Sequence, residues 1–439
     1  MLWPFLLILN AALAPTVEVE EPIYTLGDAA NGAGPLWCYG SSCIARSGDD
    51  VFVSALELVP DAKPLNNVRW VLYRRDATGW TKLATDPGRQ REPCPLGVMG
   101  DGRLLMTSNP TLTAPDAYNG PAEPQALRFE RDGRYTTLRP TWDGQPQFTE
   151  HSYRGLAVDG ERREALLFNN TGHDAIWWSL LDRDGVFSAH GKLDVPWGAD
   201  YETPEPVRIC YHVMALRDRA AHTLGVSDII EPVKAWRDYK LQLHNGNPWD
   251  YDFRRLYYRM TPDIAREPWQ PWLLVADRDA TCGHIANYDL WLDAQGRAHL
   301  LWAELSVWDQ RMRDKFFPDT KITKALMTAV IDGGKVLDRQ QLHLGGEGCA
   351  TGEQVSWARF HATPDGRLFV IACIGGEMRL AQLRPDGQAS PWVKVPMKHP
   401  MGQFMTATER LGSPPSAVID LYGTAQGVAG LSYARVRID

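Results

Sequence analysis

The sequence has no CxxC pair and only seven cysteines in 439 residues: Cys38, Cys43, Cys94, Cys210, Cys282, Cys349 and Cys373. That argues against a zinc ribbon, a thioredoxin-like motif and a small disulfide-stapled scaffold. The odd count leaves at least one thiol unpaired, and Cys38 and Cys43 are near enough to bridge a small loop. Positive charge is not in excess: 46 Lys and Arg stand against 54 Asp and Glu, a formal net charge of −8. A general polyanion-binding surface is excluded and no nucleic-acid partner is expected; an anionic ligand would need a local basic cleft. No apolar run reaches the roughly 18 residues of a membrane span, so no membrane partner is expected. Helical periodicity is nearly absent, with short helices expected only over 233–243 and 309–316.

What is present is a long series of short apolar or alternating runs. Val51–Leu56, Val68–Tyr73, Leu104–Met106, Ala165–Phe168, His299–Trp302 and Leu368–Ala372 are examples, each as long as a short strand. Asp-Gly turn signals separate them, at Asp101-Gly102, Asp132-Gly133, Asp184-Gly185 and Asp365-Gly366 among others. Such pairs tolerate the positive φ of a tight hairpin. "Asp-Gly-Arg, then an apolar run" recurs at Gly102, Gly133 and Gly366, with Gln295-Gly296-Arg297 a close relative. A repeated strand–turn–strand unit implies small sheets arranged radially. At roughly 50–60 residues per four-stranded blade, the chain holds seven or eight blades. The expected fold is therefore all-β, a β-propeller in one domain over 15–439. A β-sandwich with a second domain is the alternative, but no Pro- or Gly-rich linker marks its boundary. The 17 tryptophans suit inter-blade packing. Trp177-Trp178 and Trp249 stand beside polar clusters and are candidates for sugar contact.

At the N-terminus, Leu2–Ala14 is apolar apart from Asn10, and Ala12-Leu13-Ala14 fits a small-x-small cleavage site. Residues 1–14 are expected to be a signal peptide, although no Lys or Arg precedes the apolar run. The protein is then secreted or periplasmic.

The chemistry-bearing residues cluster in the middle third. Phe148–Gly155 carries His151, and Phe168–Asp174 carries Asn170 and His173, 22 residues further on. In a propeller two such loops can emerge on one face. Arg237, Lys240, Arg254, Arg255 and Arg259 place five cations within 23 positions of an acidic chain. They are either solvated edges paired with Asp238, Asp250 and Asp252, or a cleft where arginine grips carboxylate or sulfate bidentately. Cys282 and His284 could ligate a metal together with His212 or Cys210; two ligand types at i and i+2 are weak evidence.

Six segments, FTEHSYR (148–154), FNNTGH (168–173), WGADY (197–201), WRDY (236–239), WDYDFRRL (249–256) and RDATCG (278–283), carry a resemblance. Together with Leu65-Asn66-Asn67 and Arg91–Pro95, they resemble the secreted seven-bladed propeller polysaccharide lyases that cleave ulvan, among proteins often labelled BNR-repeat-like. The resemblance runs from about Trp37 to about Ile374, and implies β-elimination on a uronate-containing, sulfated, ulvan-like polysaccharide. It implies His151, His173, Tyr239 and Arg255 as the catalytic set, the last two keeping a separation of 16. Tyr239 would be the base and possible acid, Arg255 the carboxylate neutraliser, and the histidines acid, base or neutralising partners. Asn170, Trp178, Arg237, Trp249, Arg254 and Tyr288 would bind substrate. Tyr288 departs from the expected spacing, and adjacent Arg254 leaves the choice of arginine open. No cofactor is required, though a structural zinc or calcium at Cys282 and His284 would fit. The expected partner is an anionic polysaccharide, met by a monomer. The alternatives are a propeller glycoside hydrolase, sialidase-like or using paired carboxylates, and a non-catalytic carbohydrate-binding propeller. The sialidase repeat S-x-D-x-G-x-x-W is absent.

Overall fold

The computed structural model describes residues 13–172, 175–244, 246, 251–384 and 387–438. Among these residues the chain forms seven four-stranded antiparallel sheets, and the innermost strands neighbour one another around a closed ring. These strands are Ile44–Ser47, Leu96–Val98, Gly155–Asp159, Ile209–Arg217, His284–Leu292, Val355–Ala362 and Met401–Thr406, taken as blades 1 to 7. The protein is a seven-bladed β-propeller. Blade 7 is completed from the other end of the chain: Thr16–Tyr24 pairs with Leu431–Arg437 as its outer strand. The expected signal peptide lies almost wholly outside the described residues. No helix among them is long and apolar enough to cross a membrane.

The strands form because apolar side chains alternate with polar ones at sheet surfaces and run continuously where both faces are covered. Ala165–Phe168 and Leu368–Ile374 are second strands with both faces buried. Outer strands such as Phe187–Asp194 alternate between half-buried and exposed. Between blades 3 and 4, Leu166, Phe168, Ile176 and Trp178 pack on Ile209, Met214, Leu216 and Tyr257. This burial, worth about 25 cal/mol per Å2, supplies most of the cohesion between blades.

Antiparallel four-stranded blades have two unlike ends. One carries the hairpins joining first to second and third to fourth strands, and here the Asp-Gly turns fall. At Gly133 φ is +88°, and a Cβ would stand 2.9 Å from the Leu83 side chain of blade 1. This turn face also holds a cavity of about 950 Å3, lined among others by Met99, Asp101, Arg163, Arg217, Trp291 and Glu409. Residues 407–417 cross its floor: Arg410 and Leu411 carbonyls accept from Val158 (2.9 Å) and Val98 (2.8 Å). The opposite loop face carries the inter-blade connections and the insertions. Both helices are there: α1, Lys234–Leu243, and α2, Gln310–Phe316. Asp309 caps α2 by accepting from the Arg311 N–H.

Buried arginines tie the inner strands together near the loop face. Arg154 donates to the Pro93 carbonyl at 2.5 Å and the Glu92 carbonyl at 3.3 Å. Arg359 donates to the carbonyls of Tyr39, Phe404 and Tyr288. Burial pulls Arg359 down to about 10, with Asp289 opposing.

Candidate active site on the loop face

An aromatic platform lies at the loop-face mouth of the channel. Trp37 stacks on Tyr153 (4.9 Å between ring centroids) and meets Tyr211 edge-on (5.6 Å). Tyr211 stacks on Tyr39 (4.5 Å), and Tyr39 meets Trp357 (5.0 Å). The Phe148–Arg154 segment lays His151 on the rim of this platform. Its ring stands 6.0 Å from Trp37 and its side chain is 42% exposed. Behind it, Glu150 lies 3.7 Å from Nδ1 and accepts the Gly120 N–H at 3.2 Å. Burial would raise the Glu150 carboxyl, but His151 and the backbone donors hold it below its usual range.

A continuous path of contacts leads from His151 to the arginines of blade 4. Tyr153 carries the Arg208 guanidinium over its ring at 5.3 Å, and Arg208 also faces Tyr251 at 4.9 Å. Arg208 pairs with buried Asp228 at 2.6 Å and donates to its carbonyl. The neighbouring Ser227 hydroxyl accepts the N–H groups of both Arg254 and Arg255, each at 3.0 Å. Arg255 points to the loop face, stacked 4.4 Å over Tyr201. Asp200 takes both of its terminal nitrogens (3.2 and 2.5 Å), and Asp279 takes Nε at 2.8 Å.

Arg254 points the other way, into a buried charge box. Glu231 accepts both its terminal nitrogens (3.0 and 2.8 Å) and also pairs with Lys240 at 3.0 Å. Asp252 lies 2.9 Å from its Nε. Burial would raise Glu231, but Arg254 and Lys240 outweigh it and hold the carboxyl low. For Asp252 burial wins over Arg254, and its carboxyl rises to about 7. Trp236 of α1 covers the Arg254 guanidinium at 5.0 Å.

The structure sorts the expected site residues into three groups. His151 and Arg255 are both on the loop face. Arg237 is half-buried on α1 and makes no ion pair among the described residues. Tyr239 packs on α2, 5.7 Å from the Phe316 ring and with the Lys315 ammonium 3.7 Å above it. No described contact joins it to Arg255. His173 and Trp249 lie outside the described residues.

The remaining assignments are corrected. Trp178 is core: its ring fills the space over Gly191, where a Cβ would meet it at 2.7 Å. Asn170 is buried, its amide donating to the Ile209 carbonyl (2.7 Å) and its oxygen meeting His212 (3.2 Å), so it joins blades 3 and 4. Tyr288 is buried, its hydroxyl donating to the Ser356 carbonyl at 2.9 Å. Arg254 is closed off by its carboxylates. Cys38 and Cys43 are both free thiols, as are the other five cysteines. The Cys282 thiol, pushed up to about 12 by burial, faces Glu231 at 3.7 Å. That carboxylate already holds two cations, so this donor set does not fit a metal. His284 is held down to about 4 by burial and packs on Phe253. No group of three or more metal-ligating side chains occurs among the described residues.

Trp37, Tyr153, Arg208 and Tyr211 were not assigned a role from sequence. Tyr153 and Tyr211 carry positive φ (42° and 52°), a backbone signature that sequence does not display.

No protein-family model matches the chain, and no curated protein matches it in sequence. Solved structures do match in shape. The polysaccharide lyase Uly1 aligns with a TM-score of 0.53 at 12% identity, over 94% of this chain and 91% of that one. An ulvan lyase of polysaccharide lyase family PL25 aligns with a TM-score of 0.55 at 10% identity, over 96% of this chain and 95% of that one. The α-L-arabinanase of Penicillium chrysogenum aligns at 0.43 with 11% identity, over 77% of this chain and 91% of that one. At these identities the likeness is one of fold: the chain shares the propeller architecture of polysaccharide lyases.

Proposed function

We propose that the chain is an exported polysaccharide lyase that cleaves a uronate-containing, ulvan-like polysaccharide by β-elimination. The observation that carries this reading is the joint presence, on one face, of exposed His151 on an aromatic platform and Arg255 with its fork turned to a carboxylate. The lyase fold of the structural neighbours supports it.

The proton at C5 of a uronate is barely acidic while the adjacent carboxylate is charged. Arg255 neutralises that charge, so the developing enolate is stabilised where it forms. A base removes the C5 proton, its electron pair becomes the C4–C5 double bond, and the C4–O bond breaks. The departing oxygen takes a proton from an acid. His151 is assigned to proton transfer, with Glu150 behind its ring at 3.7 Å; Tyr239 is assigned as base, with His173 as partner. Trp37, half-buried beside His151, offers a sugar ring an aromatic contact.

Incubation with ulvan, followed by ultraviolet absorbance, tests the reading. Elimination creates a double bond conjugated to the carboxylate, which the substrate lacks. New reducing ends without that absorbance would identify a hydrolase, and binding with neither a carbohydrate-binding module. Tyr239→Phe should abolish elimination; an active variant would remove Tyr239 from the base role.

A further inference from the structure

Arg255 does not wait with an empty fork. We propose that Asp200 is a resident carboxylate, held in the Arg255 fork until a uronate carboxylate displaces it, and that Trp197 of the same hairpin covers the sugar ring that arrives. This rests on the reading of Arg255 as the carboxylate-binding group.

The two partners differ sharply in exposure. The Arg255 side chain is 7% exposed and that of Asp200 is 67% exposed. Asp200 thus covers the outward side of a buried guanidinium while standing in solvent itself. It bridges both terminal nitrogens, the arrangement any carboxylate adopts on arginine. Asp279, by contrast, is held on the inner edge through Nε and is one-third exposed. The Arg255 hydrogen bond holds the Asp200 carboxyl below its usual range, so the position carries a negative charge.

The hairpin is built so that Asp200 can leave without unfolding it. Trp197 and Gly198 pair with Pro206 and Glu205. Tyr201 donates its N–H to the Gly198 carbonyl at 3.2 Å and packs its ring on Gly198, where a Cβ would stand 2.3 Å from it. Tyr201 remains beneath Arg255 as an anchor, while Glu202 accepts the Lys234 N–H at the start of α1 (2.8 Å). Only the Asp200 rotamer need change. The exchange puts one carboxylate in the fork in place of another, so the guanidinium keeps a bidentate partner. Three residues away, Trp197 is 61% exposed and stacks on no other ring among the described residues. An exposed indole on the hairpin that carries Asp200 suits a sugar bearing an acid.

Titration of the full chain with an oligoglucuronate and with its carboxyl-reduced, neutral counterpart, followed by NMR or calorimetry, tests the proposal. Asp200→Asn removes the competing charge and keeps the shape. It should bind the acidic oligosaccharide about three- to tenfold more tightly and the neutral one unchanged. Asp200→Ala should behave alike, and Trp197→Ala should weaken both ligands equally. Unchanged or weaker acidic binding in both Asp200 variants would overturn the resident-carboxylate role. If ulvan is eliminated and neither variant binds more tightly, the lyase reading stands and this proposal falls. If both variants bind the acid more tightly and the wild type eliminates nothing, the proposal stands and the lyase reading falls.

Discussion

The two ends of the propeller are built from the same strands but spend their sequence differently. On the turn face, hairpins are closed by Asp-Gly pairs, and the 407–417 segment seals the floor of a 950 Å3 cavity. On the loop face, long connections bring in two helices, an aromatic platform and most of the buried charge. The turn-face cavity is therefore not lined by His151, Arg255 or the aromatic platform. A turn face made of minimal hairpins has little chain left over to aim a functional group. The insertions of the loop face do, because connecting segments held by a rigid scaffold are where positions can be specialised.

This contrast breaks first if catalysis does not depend on the loop face. Arg255→Ala should lower kcat/KM for ulvan elimination by about 10^3-fold, the scale of losing a charge-stabilising donor. Arg163→Ala at the turn-face cavity should leave the rate unchanged; the reverse pattern in initial rates would invert the assignment of the two faces. Next comes His151→Ala, expected to cost about 10^2-fold as a proton-transfer group. The pH–rate profile should lose one limb, and an unaltered profile would remove His151 from proton transfer.

The turn face should answer in stability instead. At Gly412 φ is +79° and a Cβ would stand 1.9 Å from the Val98 carbonyl oxygen. Gly412→Ala should destabilise by about 2–3 kcal/mol, read from the urea midpoint, with activity per folded molecule retained.

Acid should act on stability as well. Burial holds His212 down to about 3 and His222 and His361 down to about 4. Below the ordinary value of about 6.5 the unfolded chain binds protons that the folded one refuses. Stability is full above that pH and falls towards pH 4, by at most about 1.4 kcal/mol per pH unit for each histidine. Asp252, raised to about 7, works in the opposite direction: its folded carboxyl holds a proton through the window in which the unfolded one has lost it. His284, also held down to about 4, adds to the three histidines, while burial raises Asp86, Asp279 and Glu409 alongside Asp252; the histidines act over the wider window, so urea midpoints should decline on acidification. His361→Gln should make the decline shallower. The smallest change is Tyr288→Phe, which removes one hydrogen bond to Ser356 and should cost about 1 kcal/mol of stability. Its KM for ulvan should not move, since the ring is core.

The turn face was the more legible of the two. The Asp-Gly-Arg turns, both helices and the blade architecture follow from local chemistry, because a tight hairpin or an N-cap is decided within a few residues. The blade count was open between seven and eight because loop-face insertions, such as the segment carrying α1, stretch the repeat. In the candidate site, what sequence could indicate was a residue's place in its own loop, as for His151 and Arg255. Trp178, Asn170 and Tyr288 carry the same side chains in core positions as they would in a cleft. What separates the two is the neighbouring blade: Gly191, Ile209 and Ser356 decide their exposure. Arg254 and Arg255 differ by a single step along an extended strand, which turns one inward to Glu231 and the other outward to Asp200. No composition count distinguishes them.

The outer strand of blade 7 also sets a clock. Thr16 pairs with Arg437, almost the whole chain apart. A contact of that sequence separation forms late, because every intervening blade must be in place before its two halves can meet. Until Thr16–Tyr24 docks, blade 7 is three strands with an open edge, and an unpaired edge recruits any strand it meets. The same pairing that seals the finished ring is the step at which a newly made chain is most exposed to joining its neighbour instead of itself.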